Sequence, residues 1–177
     1  MNMRLTLLVA LVLMGRVVYG GAEEGDAIVG QWLTSEKDAR IEIFRTDGKY
    51  DGKIVWLKDP TYPKEDLEAG KPVHDRKNPD ITKRDQPILG STLLSNFEYV
   101  GDNHWKNGTI YNAENGKTYK AHLSLAKDGS LKVRGYWGIS LLGETTIWTR
   151  FDDPAKAQDK KQDAPSAQGG VKRAKGD

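Results

Sequence analysis

The sequence predicts an all-β protein: a small antiparallel up-and-down barrel of seven or eight strands with one long loop. Short β-rich runs alternate with turn signals in both halves of the chain. Asp47-Gly48, Asn115-Gly116 and Asp128-Gly129 supply residues that accept the positive φ angles of tight hairpins. Gly30-Gln31-Trp32 near the start and Arg150 near the end are placed to join the first strand to the last.

Seven runs have the composition of strands, and an eighth segment is either a strand or a short helix. The seven runs are 28–34, 40–45, 50–57, 105–112, 118–126, 131–138 and 144–151, and the eighth segment is 92–100. In the run 118–126, apolar residues from Tyr119 to Leu125 alternate with polar ones, which assigns the apolar set to the inside. In the last run, Trp148 and Ile147 lie on opposite faces, so its inner face stays ambiguous.

The closure of the barrel is predicted to involve Gly30, Trp32 and Arg150 in structural roles. A guanidinium group stacked on an indole contributes about 0.5–2 kcal/mol. We therefore expect Arg150 to cover Trp32 and to tie the last strand to the first.

Both ends of the chain are predicted to lie outside the barrel domain, 23–153. Residues 1–22 have the plan of a signal peptide: Arg4, an apolar run 5–14, and small residues at Gly20 and Ala22 for cleavage. The protein is therefore expected in the periplasm or outside the cell. Residues 154–177 carry six basic and three acidic residues with few apolar ones, which predicts a disordered basic tail. The absence of cysteine rules out disulfides and a thiol nucleophile.

Charge is balanced along the predicted mature chain. The sequence has 27 Lys and Arg against 25 Asp and Glu, and removal of Arg4 and Arg16 with the leader makes the two totals equal. This balance gives no sign of a basic face and argues against a nucleic-acid partner. We also expect no integral membrane segment after cleavage, and a monomer or a weak dimer.

The long loop, 58–90, contains five prolines and many charges, and it is predicted to lie across one mouth of the barrel as a lid. Asp75, Asn78 and Arg84 are candidates for fastening it. Carboxylate and amide oxygens in this stretch resemble calcium ligands, but the set is incomplete. The alternative is a structural one, in which Asx turns form beside Asn78 and Asp75 pairs with Arg84. No metal or cofactor is predicted.

Several motifs, taken in order, resemble the bacterial exported family known as domain of unknown function 2147. They are Gly30-Gln-Trp32, Gly52-Lys-Ile-Val-Trp56, Asp75 with Asn78-Pro79, Pro87 to Gly90, Gly108-Thr-Ile-Tyr111, Asn115-Gly-Lys-Thr-Tyr119, Leu131-Lys-Val-Arg-Gly-Tyr136, Gly138-Ile-Ser-Leu-Leu-Gly143 and Trp148-Thr-Arg150. The resemblance implies a lipocalin-like, calycin-type barrel in the envelope of a Gram-negative bacterium. It implies no reaction, because the family has none assigned.

A barrel of this kind makes binding of a small hydrophobic or amphipathic molecule in the lumen the leading functional expectation. The candidate lining residues are Trp56, Tyr111, Tyr119, Leu123, Trp137 and Trp148. The same residue types also fill barrels that bind nothing. The alternative is therefore a non-catalytic envelope accessory protein with a filled barrel that works by surface contacts. An envelope hydrolase is the least favoured hypothesis, and we expect that the protein is not an enzyme.

Overall fold

The computed structural model describes residues 23–136 and 143–152, and it contains one closed antiparallel barrel. The eight strands are β1 (Gly30–Leu33), β2 (Ala39–Thr46), β3 (Lys49–Leu57), β4 (Thr92–Gly101), β5 (His104–Asn112), β6 (Lys117–Leu125), β7 (Leu131–Tyr136) and β8 (Gly143–Phe151). A short 3-10 helix, Glu24–Ile28, precedes β1, and a second one, Ile81–Lys83, lies within the long loop. The all-β prediction is confirmed, and the segment 92–100 is a strand.

Each strand pairs with the next one along the chain, and β8 pairs with β1. The predicted up-and-down order is therefore confirmed. Trp32 lies directly opposite Arg150 in the closing pair, with Gln31 opposite Phe151. Because β1 and β8 complete each other's hydrogen bonding, closure removes the edges that an open sheet would present.

One half of the barrel interior is filled with apolar side chains. Its fully buried members are Ile28, Trp32, Ile41, Ile43, Leu94, Phe97, Trp105, Leu123 and Leu131. Except for Ile28, which precedes β1, and for Leu94 and Phe97, which are three positions apart on β4, they come from alternate positions of the strands. On β8 the buried residue is Trp148, whereas Ile147 is exposed, so the inner face of this strand is the one that carries Trp148.

Two of the irregularities in strand pairing change the direction of predicted lining residues. The pairing of β2 with β3 shifts next to Ile41, so that Ile54 pairs with Ile41 but Trp56 pairs with Arg40. Beyond this bulge Leu57 packs against the core, and Trp56 faces outward. The prediction that Trp56 lines the lumen is therefore wrong.

A second bulge lies in β5 between Trp105 and Gly108, where Asn107 has a φ of 62°. Gly108 faces inward, because a Cβ there would lie 2.4 Å from the ring of Phe97. By alternation Ile110 also faces inward, where it packs against the core, and Tyr111 faces outward. The prediction that Tyr111 lines the lumen is wrong for this reason.

The first 3-10 helix, which the sequence analysis missed, covers one end of the barrel. The indole nitrogen of Trp105 donates to the carbonyl of Gly25 at 3.1 Å, and the Tyr50 hydroxyl donates to Asp26 at 2.9 Å. Burial, followed by the hydrogen bond to Asp26, raises the pKa of Tyr50 to about 12. We call this end, which contains the chain reversals near residues 47, 102 and 128, the closed end.

No helix within the described ranges is long and apolar enough to cross a membrane. The predicted signal peptide, 1–22, and the predicted basic tail, 154–177, lie outside the described residues. Both stay predictions, as does the localisation that depends on the first of them.

Candidate functional site

The long loop lies at the opposite end of the barrel, which we call the open end. It runs from residue 58 to residue 91, between β3 and β4. Its last residues continue the sheet, because the amide of Gly90 donates to the carbonyl of Ile54 at 2.8 Å and the amide of Ile54 donates to Ser91 at 3.0 Å. The loop therefore leaves and enters the barrel wall at the same place.

The first half of the loop, residues 62–76, is held together by a cluster of charged side chains around Arg76. The guanidinium donates to both oxygens of Asp66 at 2.7 and 2.8 Å and to Glu68 at 2.6 Å, and its carbon lies 3.6 Å from the ring centroid of Tyr62. The hydrogen bonds from Arg76 lower the pKa of Asp66 to about 2 and also lower the pKa of Glu68. His74 lies 3.0 Å from Glu68 and completes the group. We call it the Arg76 clamp.

The loop contacts the outer wall of the barrel through Asp75, which is 7% exposed. One of its carboxylate oxygens accepts a hydrogen bond from the Tyr111 hydroxyl at 2.9 Å, and the other accepts one from the Asn78 amide at 2.7 Å. Burial, then the bond to Asp75 and its charge, raises the pKa of Tyr111 to about 12. Tyr111 is therefore a protonated donor at neutral pH, and both oxygens of this buried carboxylate are satisfied.

A second contact depends on Gly116, in the turn between β5 and β6. Its φ is 70°, and a Cβ at this position would lie 2.0 Å from the carbonyl oxygen of Lys77. No side chain fits between the loop backbone and the turn. The loop is thus packed against the outside of β5 and β6 at two neighbouring points.

A cavity of about 500 Å³ lies between the loop and this part of the barrel. It is lined by Asp75, Asn78, Pro79, Lys83, Gln86, Pro87, Gly90, Ser91, Thr92, Tyr111 and Thr118. Two proline rings give it an apolar component, whereas hydroxyl, amide and ammonium groups give it hydrogen-bonding capacity. No group of three or more metal-ligating side chains occurs among the residues described, 23–136 and 143–152. We refer to this space as the loop cavity.

The structure brings three of the predicted site residues together in the loop cavity: Asp75, Asn78 and Tyr111. Sequence reasoning had assigned them to two different features, a lid and a lumen. The missing information was the outward direction of Tyr111. The alternation of Ile110 and Tyr111 carries that signal, but only once the bulge at Asn107 is known.

The remaining lumen candidates have separate environments. Leu123 and Trp148 belong to the packed core. Tyr119 pairs with Ile110 on the inner face near the open end, where it is half-buried and accepts a hydrogen bond from Asn115. Trp137 lies outside the described residues.

Arg84 does not pair with Asp75, so that part of the structural alternative is wrong. Its guanidinium donates to the backbone carbonyl of Asn78 at 2.8 Å, because both oxygens of Asp75 face Tyr111 and Asn78 instead. Arg84 therefore stabilises the turn that carries Asn78 without neutralising a carboxylate.

The residues assigned to closure meet at the closed end. The guanidinium carbon of Arg150 lies 4.3 Å from the ring centroid of Trp32, and the group donates to the carbonyls of Val29, at 3.1 Å, and Ala27. The indole nitrogen of Trp32 donates to the carbonyl of Ile28 at 2.8 Å. Gly30 has a φ of 126°, and a Cβ there would lie 3.1 Å from the guanidinium of Arg150.

The outer surface of β5, β6 and β7 forms a basic face, which the sequence analysis did not anticipate. Its outward side chains include His104, Lys106, Lys120, His122, Lys132 and Arg134. Burial and then the positive charges of Arg134, Lys106 and His104 lower the pKa of His122. The inference that balanced total charge means no basic face is wrong, because acidic residues elsewhere in the chain offset the local excess of positive charge in the total. Counting charges strand by strand would have revealed it.

Comparisons with known proteins agree with this architecture. Among solved structures, the chain is similar to HP1028 from Helicobacter pylori, a protein described as belonging to the lipocalin family, with 26% identity and a TM-score of 0.63. The match covers 75% of this chain and 88% of that one. No curated protein matches the chain. A family model described as an uncharacterised protein conserved in bacteria, DUF2147, matches residues 30–150. The chain therefore belongs to the DUF2147 family, with a lipocalin-like barrel as its fold.

Proposed function

We propose that this protein is an exported, non-enzymatic binder of a small amphipathic molecule that it holds at the open end of the barrel. The lipocalin-like fold supports small-molecule binding in general. The observation that carries the location is the loop cavity, which is built around a buried carboxylate whose hydrogen bonds are complete. Such a site offers a pre-formed wall, so little ordering is needed when a ligand enters.

The chemistry of the cavity suits a ligand with both polar and apolar parts. Lys83, Gln86 and Thr118 offer an ammonium, an amide and a hydroxyl group, and Pro79 and Pro87 offer apolar contact.

Tyr111 and Asp75 are already hydrogen-bonded to each other, so they support the wall of the cavity and neither is free to act as a general base. This arrangement supports a binding role over a hydrolytic one.

The inner face near the open end is a second location for the apolar part of such a ligand. Gly135 and Tyr119 face inward there and are half-buried, in contrast to the filled interior at the closed end. This location corresponds to the lumen site expected from the sequence, now restricted to the part of the lumen near the open end.

The test compares variants that block one location or the other. Octyl glucoside and a fluorescent fatty-acid analogue serve as probes, and binding is followed by heteronuclear NMR and by tryptophan quenching. Thr118→Trp places an indole in the loop cavity, whereas Thr149→Trp makes the same substitution at an exposed position of β8, outside the cavity, as its control. Gly135→Val narrows the lumen near the open end, because a Cβ added there would lie 3.2 Å from a side-chain carbon of Ile110.

Loss of probe binding in Thr118→Trp, with binding retained in Thr149→Trp and Gly135→Val, supports the loop cavity. Loss in Gly135→Val alone would move the ligand into the lumen. If neither probe binds the wild type below about 1 mM, where the free energy of binding is only about 4 kcal/mol, the binding function is rejected.

One observation favours a second function, that of a non-catalytic envelope accessory protein. The interior at the closed end is packed with side chains, and Leu67 and Ile81, both in the long loop, are apolar and exposed. A surface of this kind would serve contacts with another macromolecule. A wild-type protein that binds neither probe would leave this function as the one to pursue.

A further inference from the structure

The strands of the basic face contain basic side chains and lack acidic ones. No Asp or Glu occurs in β5, β6 or β7. Among the described residues, no ion pair joins a carboxylate to Lys106, Lys120 or Lys132. Neighbouring strands are about 4.8 Å apart, so these charges spread over one continuous side of the barrel.

Acidic groups lie at the margins of the basic face, and one of them is Glu144 on β8, which pairs with Gly135. Glu98, on β4, is opposite Lys106 in the pairing, but it accepts hydrogen bonds from Lys49 at 2.8 Å and from Asn107 at 2.8 Å. Asp102 and Asp128 belong to turns at the closed end. Within the described ranges, these carboxylates therefore form no ion pair with Lys106, Lys120 or Lys132.

We propose that the basic face binds the anionic headgroups of a lipid membrane surface, with the barrel lying on its side. Charge complementarity is the main argument, since each Lys or Arg near an anionic bilayer surface contributes favourably to binding. Beside the face, Ile147 is 51% exposed and pairs with Lys132. An exposed apolar side chain at the border of a basic patch can enter the interface between headgroups and acyl chains.

The shape of the face favours lipid over nucleic acid as the partner. Single-stranded nucleic acids are held in grooves with aromatic platforms for the bases. Here the one outward aromatic ring of β7, Tyr136, packs against His122 with ring centroids 5.6 Å apart. Arg134 is likewise engaged with Thr145, at 2.9 Å. A broad convex surface with exposed lysine side chains fits a layer of headgroups better than it fits a strand of bases.

The experiment measures co-sedimentation of the full chain with vesicles. Vesicles of phosphatidylcholine alone are compared with vesicles containing 30% phosphatidylglycerol, in 50 mM and in 500 mM NaCl. The test variant is Lys106→Gln/Lys120→Gln/Lys132→Gln. Its control, Lys37→Gln/Lys58→Gln/Lys64→Gln, removes the same charge from exposed positions outside the face. All proteins keep both chain ends, so differences between them report on the face, and circular dichroism checks that each one is folded.

We expect binding to anionic vesicles at low salt to fall by about fivefold for each lysine removed from the face, and much less in the control. High salt should weaken wild-type binding, because exposed charges are screened within about 10 Å at 0.1 M salt. Equal losses in the two triple variants would overturn the proposal, as would wild-type binding that does not depend on phosphatidylglycerol. A 20-nucleotide DNA that binds the wild type while anionic vesicles do not would reassign the face to nucleic acid.

Discussion

At the closed end the first 3-10 helix is held by buried indole and phenol donors. At the open end the long loop is held together by the partly exposed Arg76 clamp, and its one buried polar contact with the barrel is through Asp75. Trp32 and Trp105 are fully buried and donate to backbone carbonyls of the helix segment. The Arg76 clamp consists of exposed or half-exposed side chains. Burial of apolar surface contributes far more to folding than exposed ion pairs do. The two ends should therefore differ in stability, and the open end should unfold before the closed end.

The largest expected effect is at the closed end. Trp32→Ala should lower the free energy of unfolding by about 3–5 kcal/mol, because it leaves a cavity in a fully packed region and removes a hydrogen bond. Trp56→Ala is the matched control, since that indole stacks on Arg40 on the outer face and is only half-buried. Urea denaturation measures both. Equal losses in the two variants would show that the closed end does not dominate stability.

Arg150→Ala should cost about 1–3 kcal/mol, because the guanidinium covers Trp32 and donates to two carbonyls. Its effect should not add to that of Trp32→Ala, with a coupling of about 0.5–2 kcal/mol in a double-mutant cycle. Arg40→Ala, which removes a guanidinium from Trp56 and Phe151, should show no coupling to Trp32. A zero coupling for Arg150 would falsify the stacked closure.

Tyr111→Phe should cost about 1–2 kcal/mol, because it leaves one oxygen of the buried Asp75 without its donor. The loss should appear as faster hydrogen exchange in the loop, with little change in the amides of β1 and β2. Tyr136→Phe, which removes a hydroxyl from the outer face of β7, serves as the control. Faster exchange throughout the barrel in Tyr111→Phe would mean that the two ends unfold together.

The smallest effect concerns pH. The pKa of Asp66 is lowered to about 2 by Arg76, so the clamp contributes stability above the ordinary pKa of a carboxyl group, near 4. That contribution should be lost as the pH falls towards 2. NMR spectra between pH 5 and pH 2 should therefore show the loop amides changing before those of the closed end. Arg76→Gln should abolish the early change. A single transition shared by both ends would contradict the comparison.

The sequence predicted the strands well because alternation reports directly on burial. Tyr119, Ala121 and Leu123 face inward as their spacing indicates, and Trp148 does the same on the ambiguous last strand. The bulges were not visible, because an extra residue in a strand has no strong signature of its own. One bulge turns the side chain of Trp56 outward, and another turns the side chain of Tyr111 outward.

The candidate site was harder to predict, because its contacts join distant parts of the chain. Asp75 and Tyr111 are separated by 36 positions, and no local pattern pairs them. The sequence did indicate that Asp75 and Asn78 would fasten the loop, since Asx turns are local, and these two do bond to each other. The basic face was concealed for a different reason, because a total charge contains no information about its distribution.

The meeting of β1 with β8 has a consequence for how the molecule can be attached to something else. The described chain begins at Glu23, which pairs with Arg45, and it ends just after Phe151, opposite Gln31. Entry and exit of the chain thus share the closed end. A tether, fusion partner or solid support joined directly at Glu23 or Asp152 would leave the barrel from the closed end, opposite the loop cavity. Attachment at either of these residues should therefore leave the cavity as accessible as it is in free solution.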